Sequence, residues 1–211
     1  MIKILVADDH PVVRHGIRQI LSDDADMFVA DEASNGEEVL DKIKQDDFNV
    51  ILLDITMPNT NVLDVIAQLR DQRPELGILV LSVHPEEQYA FRIFKAGASG
   101  YLQKESTPDE LIAAVRKVNA GGKYISNSLA ERLAFNLMIQ SAGLQHDMLS
   151  NREFTIMCML ASGKRLREIA SQLSISPKTV SSHRKRILDK MNLKNNIELH
   201  AYARENGLLL P

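Results

Sequence analysis

Short apolar runs alternate with stretches of helical spacing along residues 1–122. The helical stretches repeat apolar side chains at intervals of three and four residues, as Val13, Ile17, Ile20 and Leu21 do. The runs between them are rich in β-branched or aromatic residues: Ile2–Ala7, Phe28–Ala30, Val50–Leu53, Ile78–Leu81 and Tyr101–Leu102. Five strand–helix units of this kind predict an α/β domain, with a doubly wound parallel sheet that helices cover on both faces.

Polar side chains follow four of these runs, where each strand is predicted to end. Asp8 and Asp9 follow the first run, Asp54 the third, Ser82 the fourth and, after Gln103, Lys104 the fifth. The carboxyl ends of parallel strands meet at one edge of a sheet, where ligands bind in such folds. We therefore expect three carboxylates, a hydroxyl and an ammonium group to lie together.

Three carboxylates at one edge predict a cation among them, because like charges this close disfavour ionisation. Hard oxygen ligands that leave room for water and phosphate suit Mg2+. A divalent ion would keep Asp54 ionised and neutralise an incoming phosphoryl group, while Lys104 and Ser82 would contact the phosphoryl oxygens. Taken singly, an Asp-Asp pair is usually a solvated turn and a lysine after a strand is usually a surface residue. The prediction depends on the combination.

Four segments around these positions carry motifs in a fixed order: Ala7–His10, Asp54–Pro58, Leu81–Val83 and Ala96–Lys104. They resemble the receiver domain of two-component signalling. The resemblance implies a flavodoxin-like sheet with strand order 2-1-3-4-5, and a sensor histidine kinase that phosphorylates Asp54. It implies that Mg2+ is bound by Asp8, Asp9, Asp54 and the backbone carbonyl of Thr56. It also implies that Ser82 and Tyr101 rearrange on phosphorylation.

Two positions depart from the receiver pattern. Val62 stands eight residues after Asp54, where receivers usually have glycine, and a β-branched residue rarely adopts φ > 0. We therefore predict that the turn has shifted onto the asparagines of the segment Asn59–Asn61, which tolerate left-handed backbone, so that no strain remains at Val62. Glu105 follows Lys104 where many receivers have proline, so a cis peptide is not expected there.

Charge divides the chain into an acidic front and a basic back. Residues 1–148 carry 14 Lys and Arg against 23 Asp and Glu, whereas residues 149–211 carry 11 against 5. The basic part predicts a polyanionic partner, although a solvated charged surface would give the same balance. No apolar run reaches the ~18 residues of a membrane span, and the start lacks the pattern of a signal peptide. The single cysteine, Cys158, is expected in a core, and a reducing cytoplasm is the expected location.

After residue 122 the pattern weakens and then becomes helical. We assign residues 123–146 to a linker, which contains one short helical pattern around Leu129–Met138. Ser150 and Glu153 have the spacing of a capping box, at the start of a helix that ends at Gly163. A second helix is marked by the apolar residues Leu166, Ile169, Ala170 and Leu173. Ser174-Ile175-Ser176 makes the turn, and Ser176 caps a third helix that has Pro177 at its first position.

The third helix has two faces of different chemistry. At about 100° per residue, Val180, Ile187 and Met191 fall on one buried stripe, flanked by Arg184 and Lys190. The opposite face carries Lys178, Ser181, Ser182, Lys185 and Arg186, with Asp189. A basic helix after a helix and a tight turn is typical of a recognition helix in the major groove of DNA. On charge alone, a solvated basic face is the alternative.

The groove-facing helix allows a finer prediction. Ser181, Ser182 and Lys185 are predicted at the base edges, and Lys178, Thr179 and Lys190 nearer the phosphates. The order of residues around this helix resembles the LuxR/FixJ/NarL effector domain. The matching positions are Leu149–Ser150, Arg152–Glu153, Gly163, Glu168–Ala170, Leu173, Ile175–Ser176, Lys178–Val180, His183, Ile187, Lys190–Met191 and Leu193.

This second resemblance implies an all-α, four-helix helix-turn-helix domain over residues 147–211. Its last helix, about Asn195–Asn206, would serve dimer contact, and His183 is better interpreted as structural than as a metal ligand because no second ligand stands at zinc spacing. A receiver at residues 1–122 followed by this domain is the order of NarL/FixJ-type transcription regulators.

The function that the sequence predicts is a switch: phosphorylation biases a two-state receiver and thereby changes dimerisation or DNA binding. The protein is expected to bind duplex DNA as a homodimer, without a membrane partner, and not to be an enzyme beyond Mg2+-dependent self-phosphorylation and self-dephosphorylation. A Mg2+-dependent phosphohydrolase is one alternative, but it would need a general acid or base and a substrate pocket for which the short loops leave little room. An adaptor with a vestigial effector is the other, and Lys178, Lys185 and Arg186 argue against it.

Overall fold

In a computed structural model, the protein divides into two units, Met1–Ala130 and Glu131–Pro211. The structure describes residues 1–58, 60–83, 86–126, 130, 145–173, 175–206 and 208–209. Strands of the first unit are β1 (Ile2–Ala7), β2 (Met27–Ala33), β3 (Val50–Asp54), β4 (Gly77–Ser82) and β5 (Gly100–Gln103). Helices between and after them are α1 (Pro11–Ser22), α2 (Gly36–Gln45), α3 (Val62–Gln72), α4 (Glu86–Ala96) and α5 (Pro108–Asn119).

All strand pairs are parallel, and the sheet has the order β2-β1-β3-β4-β5. The predicted flavodoxin-like fold and strand order are therefore confirmed. In the central strand β3, the side chains of Val50, Ile51, Leu52 and Leu53 are all 0% exposed. Burying each such side chain stabilises the fold by about 1.5–3 kcal/mol. This buried strand fixes the position of the residue that ends it, Asp54.

Strand β2 is longer than its apolar run predicts. Phe28–Ala30 was the predicted core of this strand, whereas the structure extends it to Met27–Ala33. The added residues include Asp31 and Glu32, and β2 pairs only with β1. An edge strand can carry polar side chains toward solvent, so hydrophobicity alone underestimates its length.

Capping residues and a glycine mark the ends of helices in the first unit. Thr107 caps α5 in a capping box with Glu110, and Pro108 takes the first helical position, where its missing N–H costs no hydrogen bond. Helix α4 ends at Ala96 and is followed by Gly97, whose φ of +116° is readily adopted only by glycine.

The loop between β3 and α3 differs in part from the prediction. Val62 is the first residue of α3 and is 6% exposed. It has no strained backbone, because Asn192 is the one described residue other than glycine with positive φ. The shift of the turn onto Asn61 is wrong, since Asn61 has an extended conformation with φ of −94° as the residue before the helix. Asn59 lies outside the described residues.

A hydroxyl group holds this loop. Thr60 Oγ1 accepts the backbone N–H of Gly36 at 2.8 Å and donates to the carbonyl of Pro58 at 3.0 Å. The contact joins the loop to the start of α2. A side chain at position 36 would place its Cβ 2.7 Å from Thr60 Cγ2, so the close approach requires glycine. No cis peptide bond occurs among the described residues, in agreement with the expectation for Glu105.

The described part of the second unit is helical. A 3₁₀ helix at Gln145–Met148 precedes α6 (Asn151–Ala161), α7 (Leu166–Gln172), α8 (Pro177–Lys190) and α9 (Asn196–Glu205). The predicted capping box of Ser150 and Glu153 opens α6. Ser176 accepts the backbone N–H of Thr179 at the start of α8, and Pro177 takes the first position. The predicted helix-turn-helix class is confirmed, although Ser174 in the turn lies outside the described residues.

The predicted linker is described only at its two ends. Of the short helix proposed around Leu129–Met138, only Ala130 is among the described residues. At the start of the linker, Tyr124 pairs with the edge of β5: its N–H donates to Ser99 and its carbonyl accepts from Tyr101. The boundaries 1–122, 123–146 and 147–211 stay predictions. Among the described residues, no helix combines the length and the hydrophobicity that a membrane span requires.

Candidate functional site

The carboxyl ends of β1, β3 and β5 bring three of the predicted side chains into direct contact. Lys104 Nζ lies 2.6 Å from Asp8 Oδ2 and 3.0 Å from Asp54 Oδ2. Asp8 and Asp54 are each 1% exposed. The contact spans 96 residues of sequence and exists because parallel strands end at the same edge of the sheet. One ammonium group therefore lies between two buried carboxylates.

Burial determines the electrostatics of this group. For Asp54, burial raises the pKa because the charged form loses water, and it outweighs the charge and hydrogen bond of Lys104, which lower that pKa. For Lys104, burial disfavours the ammonium, but the hydrogen bond to Asp8 and the charge of Asp54 prevail, so its pKa is raised. Lys104 is thus a stable cation, and an added positive charge would favour the ionised form of Asp54.

The acidic pocket fits a hard divalent cation. Asp8, Asp9, His10 and Asp54 each offer one ligand atom, and these atoms lie within 4.8 Å of one another. Asp9 Oδ1 is buried and accepts no hydrogen bond within the described residues, although His10 Nδ1 lies 2.9 Å away. A buried carboxylate oxygen that lacks a donor is suited to a metal ion, and three carboxylates supply the oxygen ligands that Mg2+ prefers.

The remaining predicted receiver residues surround Asp54 or lie on the next strands. The Thr56 hydroxyl donates to both carboxylate oxygens of Asp54, at 3.2 and 3.1 Å; the predicted role of its backbone carbonyl is untested. Ser82 ends β4 and Tyr101 lies on β5, and both are 0% exposed. The backbone N–H of Lys104 donates to the carbonyl of Ser82 at 2.8 Å, which ties the start of the Lys104 loop to β4.

Sequence reasoning missed two residues beside this pocket. His10 contributes its imidazole to the potential ligand atoms, and Arg14 donates from Nη1 to the backbone carbonyl of Asp8 at 2.7 Å. Hydrophobic periodicity cannot identify either residue, because both contacts depend on the fold of the β1–α1 loop. The sequence signal that was available is a polar residue directly after the Asp8-Asp9 pair.

In the second unit, α8 presents the predicted polar face to solvent. Lys178, Thr179, Ser181, Ser182, Lys185 and Arg186 are all exposed. On the opposite side, Val180, Ile187 and Met191 are 0% exposed. The two faces that the helical angle predicts are therefore observed, whereas the contacts of individual side chains with DNA stay predictions.

Lys190 differs from the other basic residues of α8. Its Nζ lies 2.6 Å from Oε2 of Glu153, a residue whose side chain is 6% exposed. His183, which the sequence interprets as structural, has a buried Nδ1 without a hydrogen-bond partner in the described part of the chain. Burial lowers the pKa of His183, with smaller effects in the same direction from Arg186 and Arg152 and an opposing one from Glu153.

A second basic segment was not singled out by sequence reasoning. Lys164, Arg165 and Arg167 stand in the turn before α7 and in its first turn, and Arg165 and Arg167 are exposed. The available signal is three cations in four positions directly after Gly163. In a helix-turn-helix, the helix before the recognition helix crosses the DNA backbone, so phosphate is the partner expected for cations at its start.

Comparison with protein families matches both units. Residues 4–116 match the family described as "Response regulator receiver domain", and residues 147–203 match "Bacterial regulatory proteins, luxR family". Response regulator UvrY of Escherichia coli (strain K12) is 36% identical over 209 residues, covering 99% of this chain and 96% of that protein. Response regulator GacA of Pseudomonas protegens is 35% identical, covering 99% and 98%.

A solved structure is also similar over nearly the whole chain. It is RcsB from Salmonella enterica serovar Typhimurium bound to promoter P1flhDC in the presence of phosphomimetic BeF3-. The two chains are 25% identical with a TM-score of 0.67, over 97% of this chain and 98% of RcsB.

Proposed function

This chain belongs to the NarL/FixJ-type response regulators, which join a receiver domain to a LuxR-family DNA-binding domain, and we propose that phosphorylation of Asp54 by a sensor histidine kinase controls its binding to duplex DNA. The observation that carries the proposal is the contact of Lys104 with Asp8 and Asp54, at 2.6 and 3.0 Å. It supports a site in which a buried carboxylate, a second carboxylate and a fixed cation surround one reacting position.

In the proposed reaction, a carboxylate oxygen of Asp54 attacks the phosphorus of a phosphohistidine. The P–N bond breaks, and the imidazole leaves with the electron pair and takes up a proton. Asp8, Asp9, Asp54 and the backbone carbonyl of Thr56 would hold Mg2+, which would supply positive charge to the phosphoryl oxygens.

Two further side chains receive the phosphoryl group. The ammonium group of Lys104 already lies between Asp8 and Asp54, so it would need little movement to contact a phosphoryl oxygen. Ser82 ends the neighbouring strand β4 and would donate a hydrogen bond. In the proposed switch, the Ser82 hydroxyl turns to the phosphoryl group and Tyr101 on β5 then changes its own position.

The DNA-binding half of the proposal rests on α8. Its exposed face carries Lys178, Lys185 and Arg186 beside Thr179, Ser181 and Ser182, which combines charge for phosphates with short polar groups for base edges. Lys190, because it pairs with Glu153, is the weakest member of the predicted set. RcsB, a similar protein, has been solved on promoter DNA, which supports the same kind of partner here.

Assembly and location follow from the family. We propose a homodimer, because two copies of one recognition helix read two half-sites of an operator, and α9 remains the proposed dimer contact. The exposed Ile197 of α9, 79% accessible, is an apolar group suited to such a contact. A regulator of this type meets both its kinase and the chromosome in the cytoplasm, which is the location we propose.

The two alternatives make different demands. A phosphohydrolase would turn over a small phosphate ester, whereas a regulator keeps the phosphoryl group on Asp54 and loses it by slow self-dephosphorylation. An adaptor would bind protein but not DNA. The family of both units favours the regulator over either alternative.

The test joins the two halves. Full-length protein is incubated with a small phosphoryl donor and Mg2+, its intact mass is measured, and its binding to genomic DNA fragments is followed at a stated salt concentration. We expect one phosphoryl group on the wild type, none on Asp54→Asn or in EDTA, and a change in DNA affinity only where labelling occurs. Equal labelling of Asp54→Asn would refute the acceptor, and labelling that persists in EDTA would refute the Mg2+ role.

A further inference from the structure

A partly buried ionic contact links the edge strand β2 to the peptide that joins Asp8 to Asp9, the two proposed metal ligands. Arg14, on α1, donates from Nε to Glu32 Oε2 at 2.8 Å and from Nη1 to the backbone carbonyl of Asp8 at 2.7 Å. The Arg14 side chain is only 16% exposed. One guanidinium group thus binds the Glu32 carboxylate of β2 and the Asp8 carbonyl just after β1. The rigid, planar set of N–H donors on arginine allows both bonds at once.

The position of the Asp8 carbonyl affects the orientation of both Asp8 and Asp9. A peptide unit is planar, so fixing the Asp8 oxygen fixes the plane that connects Asp8 to Asp9. On its other side, the N–H of Asp8 donates to the carbonyl of Ala33 at 3.1 Å, again from β2. The N–H of Asp8 is therefore bonded directly to β2 at Ala33, and its carbonyl is linked to Glu32 of the same strand through Arg14.

The charge on Glu32 is favourable for this arrangement. Burial raises the pKa of its carboxyl, but the hydrogen bonds from Arg14 and Arg18 prevail and the pKa is lowered. Glu32 is consequently a fixed anion against which Arg14 is oriented. Arg18 pairs with the other oxygen of Glu32, but its side chain is 56% exposed and it contacts no atom of Asp8 among the bonds described.

We propose that Arg14 is a positioning residue for the metal site, which orients the carboxylates of Asp8 and Asp9 through the Asp8 carbonyl and so raises affinity for a divalent cation. The inference rests on the proposed function, since the cation is the one that phosphorylation of Asp54 requires. Groups that orient metal ligands from outside commonly change metal affinity by 10–100-fold when they are removed.

The chain offers a matched control. Arg14→Ala removes both contacts, whereas Arg18→Ala removes a pair with the same Glu32 and leaves the Asp8 carbonyl untouched. Arg14→Lys keeps a cation beside Glu32, but one ammonium group cannot reproduce the two-sided geometry of the guanidinium. The three variants separate the loss of charge near Glu32 from the loss of the bond to Asp8.

The experiment measures Mg2+ binding to each full-length variant by calorimetry, together with thermal unfolding and the Mg2+ concentration that gives half-maximal labelling of Asp54. We expect Arg14→Ala to weaken Mg2+ binding by about tenfold and to shift half-maximal labelling by the same factor, while saturating Mg2+ restores labelling. Arg18→Ala should bind Mg2+ within about twofold of wild type. Arg14→Lys should recover melting temperature but not Mg2+ affinity.

Several results would overturn the inference. One is an Arg14→Ala protein that binds Mg2+ like the wild type while melting earlier. Another is full recovery of Mg2+ affinity in Arg14→Lys, or equal weakening in Arg14→Ala and Arg18→Ala. If Arg14→Ala does not fold, the Mg2+ affinities of Arg14→Lys and Arg18→Ala are compared instead. Equal affinities would then overturn the inference. Absence of Mg2+ binding in the wild type would reject the proposed metal site itself, which distinguishes that failure from a failure confined to Arg14.

Discussion

Lys190 Nζ lies 2.6 Å from Glu153 Oε2, a carboxylate whose side chain is 6% exposed. The same oxygen accepts the backbone N–H of Ser150 at 2.9 Å in the capping box of α6. One buried oxygen therefore connects the start of α6 to the end of α8, the helix whose other face is proposed to meet DNA. This relationship separates Lys190 from Lys178, Lys185 and Arg186 on the exposed face of α8 and indicates a structural role for it.

The first prediction is that Lys190→Ala destabilises the protein. It removes the cation from a buried carboxylate, and a hydrogen bond to a charged group contributes about 1.5–3 kcal/mol. Because the Lys190 side chain is 42% exposed, solvent screening reduces the expected loss to about 1 kcal/mol. Urea unfolding measures the effect. Lys185→Ala, on the exposed face of the same helix, is the control and should change stability by less than about 0.5 kcal/mol. Unchanged stability in Lys190→Ala, with DNA affinity reduced as in Lys178→Ala, would make Lys190 a phosphate contact.

The second prediction concerns pH. Burial alone would raise the pKa of Glu153, but the hydrogen bonds from Lys190 and Ser150 prevail and lower it from its ordinary value of 4.5. A lowered pKa stabilises the folded state fully above the ordinary value, and this stabilisation is lost as the pH falls through the folded-state pKa. The acid-induced loss of stability should therefore be smaller in Glu153→Gln than in the wild type. Urea midpoints from neutral pH to about pH 3 provide the comparison. Parallel curves for the two proteins would show that Glu153 has no lowered pKa.

Much of the fold could be predicted because the signals are local or periodic. The apolar run before Asp54 and the capping residues Thr107 and Ser150 each determine structure within a few residues. The meeting of Asp8, Asp54 and Lys104 could also be predicted, since parallel strand order converts sequence position into a common edge.

Contacts that depend on the path of a loop could not be predicted. The bond from Arg14 to the Asp8 carbonyl requires α1 to lie beside the end of β2. The Thr60 hydroxyl holds its loop by accepting from the N–H of Gly36 and donating to the carbonyl of Pro58, and the prediction for this loop considered only its asparagines. Neither contact has a periodic signature in sequence.

The third prediction concerns Val62. As the first residue of α3 and 6% exposed, Val62 has a buried side chain and an unstrained helical backbone. Val62→Gly should lower the free energy of unfolding by about 1–3 kcal/mol, from the lost side chain and the poor helix propensity of glycine. Val62→Ala, which removes most of the side chain but favours helix, should lower it less. Thermal unfolding is sufficient to measure both. A rise in melting temperature for Val62→Gly would show instead that the native φ is strained.

The last prediction separates base contacts from phosphate contacts on α8. Lys185 and Lys178 are both exposed on the polar face, and we expect Lys185 at a base edge and Lys178 at the backbone. A lysine at a base edge discriminates between sequences, whereas a lysine at a phosphate does not. Lys185→Ala should therefore weaken binding to the preferred site by about 1–3 kcal/mol and to scrambled DNA by less.

Lys178→Ala should weaken binding to both duplexes about equally, because its contact is independent of sequence. Each lost phosphate contact also reduces counterion release, so the plot of log affinity against log salt should flatten by about one unit per copy of the protein. In a dimer both effects double when each half-site loses the contact. The measurement is the binding of the two variants to specific and scrambled duplexes over a salt series, which gives the affinity of each variant for each duplex and its salt dependence. Equal losses of affinity for Lys185→Ala on the two duplexes would refute its base-reading role. Wild-type binding by both variants would show that α8 is not the recognition helix.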